Sequence, residues 1–226
     1  MKMLKNYNLE YYPEEKILNP PRHIKNEIDL IFNNIAQDKN KKIVDFGSGG
    51  GRLTIPLLQN GFKVIAIDND ESSRKQLLRT ATKIRKNKNL LIRETFIENE
   101  EYDYILGTDI LHHVDINKYF RSFNNHLKKG GKIIFSEPNF WNISWWIFIF
   151  MFLDWKQEIG IIQINYFNIM RKLKLAGFED VKISGLFLLP PMLFNKINWL
   201  NKLNIFLGNI PLLKLFAFRC IITATK

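Results

Sequence analysis

Four glycines in five positions, Gly47, Gly49, Gly50 and Gly51 around Ser48, stand between Asp45 and Arg52 at the end of a short apolar run. A turn of this kind between a strand and a helix lets backbone N–H groups and the helix N-terminus approach a polar or anionic ligand closely. A second acid, Asp68, closes the run Val64-Ile65-Ala66-Ile67, 21 positions after Gly47. An acid at the end of the next strand is placed there to accept hydrogen bonds from ribose hydroxyls. Loop and acid together are the parts of a nucleoside cofactor site. The dinucleotide pattern G-x-G-x-x-G, counted from Gly47, needs its third glycine where Arg52 stands, which disfavours a nicotinamide cofactor.

Three histidines are candidates for proton transfer: His112 and His113, which follow the apolar run near Tyr104-Ile105-Leu106, and His23, beside Arg22. Position favours His113 of the adjacent pair. The competing assignment for the pair is packing or capping of a turn, and for His23 an ordinary surface position. Glu137 before Pro138 is placed either to touch a substrate or to satisfy backbone in its turn. Adjacent histidines without a clustered carboxylate pair are no recognisable ligand set, so no metal is expected.

The elements that must carry these residues alternate. An amphipathic helix from about Pro21 is predicted by Ile24, Ile28, Ile31, Phe32 and Ile35. Ile43-Val44-Asp45-Phe46 reads as a buried strand, the segment after Gly51 as a helix, and Val64 to Asp68 as a second strand. A basic helix from about Ser72 to Lys86 precedes strands at Leu90-Leu91-Ile92 and Tyr104-Ile105-Leu106. A helix over Asn117 to Leu127, closed by Lys128-Lys129-Gly130-Gly131, leads to Ile133-Ile134-Phe135-Ser136. Strands alternating with helices imply an α/β doubly wound fold with a mostly parallel sheet. Further on, a helix over Tyr166 to Ala176 and a strand over Phe178 to Ser184 precede a final strand, Ala217 to Ala224.

The loop reads D-x-G-S-G-G-G, and here the chain resembles the class I S-adenosylmethionine-dependent methyltransferases, particularly their small-molecule and lipid branch. Asp45, Gly47, Ser48, Gly49 and Gly51 match the family's first motif, with Ser48 in place of a frequent cysteine. Asp68 matches its ribose-binding acid. Glu101-Tyr102-Asp103-Tyr104-Ile105, Leu111-His112-His113-Val114, Leu127 to Ile133 and Leu175-Ala176-Gly177-Phe178 are similar to later motifs, in order. The resemblance implies S-adenosyl-L-methionine as the cofactor. It implies a Rossmann-like seven-stranded sheet whose last strand, Phe218 to Thr223, is antiparallel, with an apolar helical cap inserted after strands five and six. It places Asn69 beside the adenosine, and Glu94, Thr95 and Phe96 near the adenine. Gly107 and Thr108 line the cofactor through their backbone. One domain over residues 1–226 is expected, with an N-terminal cap over 1–40 that includes Tyr7, Tyr11 and Tyr12, a cofactor core over 41–138, and a substrate-side cap with the last strands over 139–226.

Composition narrows the acceptor less. The chain has 226 residues and a formal charge of +11, which admits nucleic acid, an anionic membrane surface or an anionic substrate as well as plain surface lysine. Its one cysteine, Cys220, and an N-terminus without the apolar run of a signal peptide lead us to expect a cytoplasmic location. Residues 139–153 carry no charged side chain, and residues 181–226 no Asp or Glu. The first stretch is too short for a span of about 20 residues. Both stretches suit a cap packed on the sheet. Flanked by Lys196, Lys202, Lys214, Arg219 and Lys226, they also suit peripheral contact with an anionic membrane, on its inner face. The leading expectation is methyl transfer to oxygen, nitrogen or carbon of a small-molecule or lipid-like acceptor. The alternative is a membrane-associated, cofactor-binding assembly factor without turnover. A nucleic-acid methyltransferase is disfavoured, because Gly107-Thr108-Asp109-Ile110 stands where an Asn/Asp-Pro-Pro-Tyr/Phe tetrad belongs.

Overall fold

Every residue of Ile43–Phe46 (β1) and Val64–Ile67 (β2) is buried, as parallel strands covered on both faces require. The computed structural model describes residues 12–226, so Tyr7 and Tyr11 of the expected N-terminal cap lie outside the described residues. The sheet continues with Leu90–Arg93 (β3), Tyr102–Thr108 (β4), Leu127–Pro138 (β5), Glu179–Leu186 (β6) and Arg219–Thr225 (β7). Its order is β3-β2-β1-β4-β5-β7-β6. β1 to β5 pair in parallel, and β7 runs antiparallel to both β5 and β6. The expected seven strands and reversed last strand are therefore present.

Short helices precede and link these strands: Glu14–Leu18 (α1), Arg22–Phe32 (α2), Thr54–Gln59 (α3), Glu71–Lys83 (α4) and Ile116–His126 (α5). The predicted starts of α4 and α5 move by a residue because Asp70 and Asp115 cap them, their carboxylates accepting from Ser73 N and Asn117 N. Strand alternation divides the core. Val44, Phe46, Ile133 and Phe135 face Phe120 and Phe123 of α5, while Ile43, Ala66 and Ile134 face Ile28 and Ile31 of α2, Leu57 and Leu58 of α3 and Leu77 of α4. Each of the larger of these side chains contributes about 1.5–3 kcal/mol by leaving water.

Between β5 and β6 lie Ile143–Phe152 (α6), Trp155–Glu158 (α7) and Tyr166–Leu175 (α8). Between β6 and β7 lie a 3₁₀ turn at Pro191–Phe194 and the helix Asn198–Asn209 (α9). Asparagines stitch these insertions together by satisfying loop backbone. Asn142 caps α6 by accepting from Ser144 N at 3.0 Å, and its amide donates to Leu188 O at 2.9 Å and Phe216 O at 2.7 Å. Asn139 donates to Leu215 O and Ala217 O. A small core of Leu186, Phe187, Phe218 and Ile221 lies beneath, with Trp145 stacked on Phe218 at 4.5 Å between ring centroids. The cap is seated on the sheet through Ile161, Ile164, Ile169 and Leu173, but its first helix is left largely uncovered. Ile149 is the only buried residue of α6, and Phe150 is 89% exposed. Among the described residues no helix is long and apolar enough to cross a membrane.

Candidate functional site

The sheet changes winding direction between β1 and β4, and the crevice beyond the strand ends at such a point is where open α/β sheets bind ligands. The glycine loop leaves β1 into that crevice. Its shape needs glycine at Gly47, where φ is +71° and an added Cβ would sit 2.3 Å from Ile110 Cγ1. Gly47 N and Ser48 N both donate to Ile67 O, tying the loop to the end of β2. Gly49 N donates to Asp68 Oδ2 at 2.7 Å, and Asp70 N to Asp68 Oδ1 at 2.9 Å. The acid is thus fixed against the loop before any ligand arrives. Ser48 Oγ is buried with no hydrogen-bond partner among the described residues, which leaves a hydroxyl for a polar cofactor group. Asp45 supports the loop from below. It is 1% exposed and accepts from Thr54 Oγ1 at 2.5 Å. Burial lifts its carboxyl to about 7, against the opposing Thr54 bond.

The remaining expected cofactor residues are spread around this crevice. Asn69 is exposed beside Asp68. Glu94 and Thr95 are exposed after β3, and Glu94 pairs with Arg74 at 2.6 Å. Arg74 also donates to Asp68 O at 2.8 Å, so it bridges the ends of β2 and β3. Phe96 is half-buried, stacked on Phe46 and His126. Gly107 and Thr108 pair with Phe135 and Ser136 at the end of β4.

Beside the loop, on the β4–β5 side, opens a cleft. Trp145, Leu153, Phe187, Met192 and Phe218 give it apolar walls, while Arg52, Asp109, Arg219, His113 and Glu158 give it a polar floor. Two arginines and two acids interlock there. Arg52 pairs with Glu27 and Asp109, and Arg219 pairs with Asp109 at 2.6 Å and Glu27 at 3.1 Å. Arg219 also donates from Nε to Ser136 Oγ and from Nη2 to Ser136 O, both at 3.0 Å. Burial would raise the Asp109 carboxyl, but Arg219 and Arg52 overcome it and hold the group well below the usual carboxylate range. Asp109 has φ of +54°, an uncommon conformation held by these contacts. Sequence reasoning missed this quartet. It treated Arg52 only as a break in the dinucleotide pattern and Arg219 as a surface cation.

The three candidate histidines separate. His23 bonds Asn195 through Nδ1 at 3.1 Å, linking α2 to the second insertion. Burial lowers its pKa against that bond. His112 is buried, with Nδ1 2.6 Å from Glu137 Oε2 and Nε2 3.4 Å from Glu158 Oε2. Burial opposes its charge, but Glu137 and Glu158 raise its pKa to about 10. Glu137 satisfies backbone as well, since its Oε1 accepts from Ile110 N at 2.8 Å and Leu111 N at 2.9 Å. His113 has an exposed side in the cleft, and partial burial and the neighbouring His112 charge lower its pKa. Glu158 is the residue that sequence spacing could not connect to them. Gly160 brings it in, because its backbone lies so close to the 111–113 turn that a Cβ would sit 1.7 Å from His112 O. The fold thereby brings a carboxylate to the two histidines that spacing along the chain did not: one ligand atom each from His112, His113 and Glu158 lies within 4.8 Å of the others.

Comparison with known proteins agrees with this architecture. A family model described as a methyltransferase domain matches residues 21–182. The ubiquinone biosynthesis O-methyltransferase of Idiomarina loihiensis is 30% identical over 197 residues, covering 80% of this chain and 76% of that protein. The enzyme of the same name from Rickettsia typhi is 32% identical over 124 residues, which span about half of each protein, 52% of this chain and 48% of that one. Among solved structures, an S-adenosylmethionine-dependent methyltransferase of Thermotoga maritima has a TM-score of 0.66 at 14% identity, covering 99% of this chain and 96% of that one. Phosphoethanolamine N-methyltransferase 2 of Haemonchus contortus has a TM-score of 0.64 at 17% identity, covering 89% and 52%. These two likenesses are of fold. The glycine loop at the switch point, the acid fixed against it and the match over most of the chain lead to one family: this chain belongs to the class I S-adenosylmethionine-dependent methyltransferases.

Proposed function

We propose that the protein methylates a hydroxyl oxygen on an amphiphilic, lipid-like acceptor held in the cleft beside the glycine loop. The observation that carries this reading is the division of that cleft into apolar walls and a polar floor next to Arg52, the residue that follows the loop. Gly47, Ser48, Gly49, Gly51 and Asp68 hold the cofactor, with Asn69, Glu94 and Thr95 on its adenosine side and Gly107 and Thr108 beneath it. Asp45 acts by holding the loop. S-adenosylmethionine supplies a methyl group already activated on a sulfonium, so the protein's task is to align an acceptor atom with it. A polar head against Asp109, Arg219 and His113 and a tail along Trp145, Phe187 and Phe218 achieve that alignment. His113 is the histidine that faces the acceptor, because both ring nitrogens of His112 are held by Glu137 and Glu158 and His23 is tied through Nδ1 to Asn195. Two relatives whose names specify O-methyl transfer support oxygen as the acceptor atom.

The test is transfer of labelled methyl from S-adenosylmethionine to matched phenol and amine amphiphiles, each with and without an apolar tail. Tailed phenols are expected to be methylated with the lowest KM. Transfer to amines alone, or indifference to the tail, would overturn the reading.

Outside the cleft, the exposed apolar face of the cap serves as a peripheral contact with an anionic membrane. Exposed Phe150, Met151, Leu193, Trp199 and Phe206 accompany Lys196, Lys202 and Lys214, and no acid follows Asp180 in the chain. Arg219 and Lys226, counted with these cations from sequence, belong elsewhere: Arg219 is in the quartet and Lys226 Nζ donates to Leu127 O. A lysine near an anionic surface adds about 1 kcal/mol, so three together are worth roughly a hundredfold in affinity. The chain should float with phosphatidylglycerol vesicles, less in high salt, and Phe150→Glu with Trp199→Glu should abolish flotation. Equal binding to neutral vesicles, or none to either, would contradict membrane contact.

A further inference from the structure

We propose that His112, His113 and Glu158 form a binding site for one divalent transition-metal ion, with zinc(II) the best fit. Two imidazoles and one carboxylate are the donors of zinc sites that keep a fourth position open. All three line the cleft, so that position faces it. The spacing agrees with the chemistry. Bonds of about 2.0–2.2 Å give ligand–ligand edges of about 3.4 Å in a tetrahedron and about 3.0 Å in an octahedron. His112 Nε2 and Glu158 Oε2 are 3.4 Å apart. The third ligand comes from the His113 ring, a nitrogen of which already lies within 4.8 Å of the other two ligand atoms and reaches bonding distance by a side-chain rotation.

The supporting shell is already built. A metal-bound histidine ordinarily donates its other ring N–H to a carboxylate, which fixes the tautomer and aims the free nitrogen. His112 Nδ1 is 2.6 Å from Glu137 Oε2, and Glu137 is fully buried and anchored by the Ile110 and Leu111 amides. His112 Nε2 is thereby directed at Glu158. The carboxylate is also positioned by the fold, since Asp154 caps α7 through Lys156 N and Gly160 lies flush against the histidine turn. The ion would tie the turn after β4 to the cap. Its fourth position would take water or, resting on the acceptor reading above, the acceptor's oxygen.

The experiment is titration of the metal-stripped full chain with zinc(II) in competition with a chromogenic chelator, without acceptor. One equivalent is expected to bind. Glu158→Gln and His113→Phe should each weaken binding by more than about a hundredfold, beyond what loss of an outer-shell partner costs. Lys156→Ala on the same short helix should leave it unchanged. S-adenosylhomocysteine binding by both ligand variants checks that they fold. Cobalt(II) should give the visible bands of a four-coordinate ion, and these should be lost in both. Failure to bind zinc, or equal binding by both folded variants, would overturn the site and leave the cluster a proton-bridged ion pair. The acceptor reading is tested by methyl transfer, so its failure would leave the zinc titration untouched.

Discussion

Replacing Arg219 with alanine is expected to destabilise the protein by about 3–5 kcal/mol, the cost of removing one partner from a buried ion pair. Arg219 is 5% exposed, at the first residue of β7, and opposite Pro138 of β5 in the antiparallel ladder. That register brings the guanidinium to Ser136 O and Oγ and to the acids Asp109 and Glu27. Without it, Arg52 alone would face both acids. Asp109 would also lose the stronger of the charges that hold its carboxyl ionised. For a chain of this length the loss corresponds to a melting temperature lower by roughly 10 °C. Arg219→Met with Asp109→Asn should recover part of it, because the stranded carboxylate is removed with its partner. Thermal unfolding of the four members of that cycle measures the coupling. A single-variant loss below about 1 kcal/mol would mean that water solvates the quartet, as at an ordinary surface pair.

Replacing Asp68 with alanine is expected to weaken S-adenosylhomocysteine binding by roughly a hundredfold. The carboxylate oxygens already accept from Gly49 N and Asp70 N, which orients them, and each keeps a lone pair for a ribose hydroxyl. A hydrogen bond to a charged group is worth about 1.5–3 kcal/mol, so two give about 3 kcal/mol at the low end. Asp68→Asn keeps an acceptor and should fall between the wild type and the alanine variant. Unchanged affinity in Asp68→Ala, measured by calorimetry, would reject the ribose role.

The legible parts of this protein were the local ones. Ile43 to Phe46 and Val64 to Ile67 read as buried strands because both faces of a central parallel strand are covered. The glycine loop read correctly because Gly47 meets a constraint of its own backbone. The polar floor did not read, because Glu27, Arg52, Asp109 and Arg219 come from four separate segments. What joins them is strand order and register, which no spacing along the chain encodes. Glu158 was hidden for the same reason, reaching His112 only through the close packing of Gly160. The uncharged run from Asn139 to Leu153 admitted burial, a lid or an interface. Only the packing separates these, burying Ile149 and leaving Phe150, Met151 and Phe152 exposed.

The adenosyl cofactor of this family is expected on the Gly47–Gly51 loop and Asp68. Parallel calorimetric titrations of the full chain with S-adenosylmethionine, S-adenosylhomocysteine and NAD test this most directly. One saturable site per chain is expected for both adenosyl ligands, with no heat of binding for NAD. Binding of NAD with neither adenosyl ligand bound would contradict it.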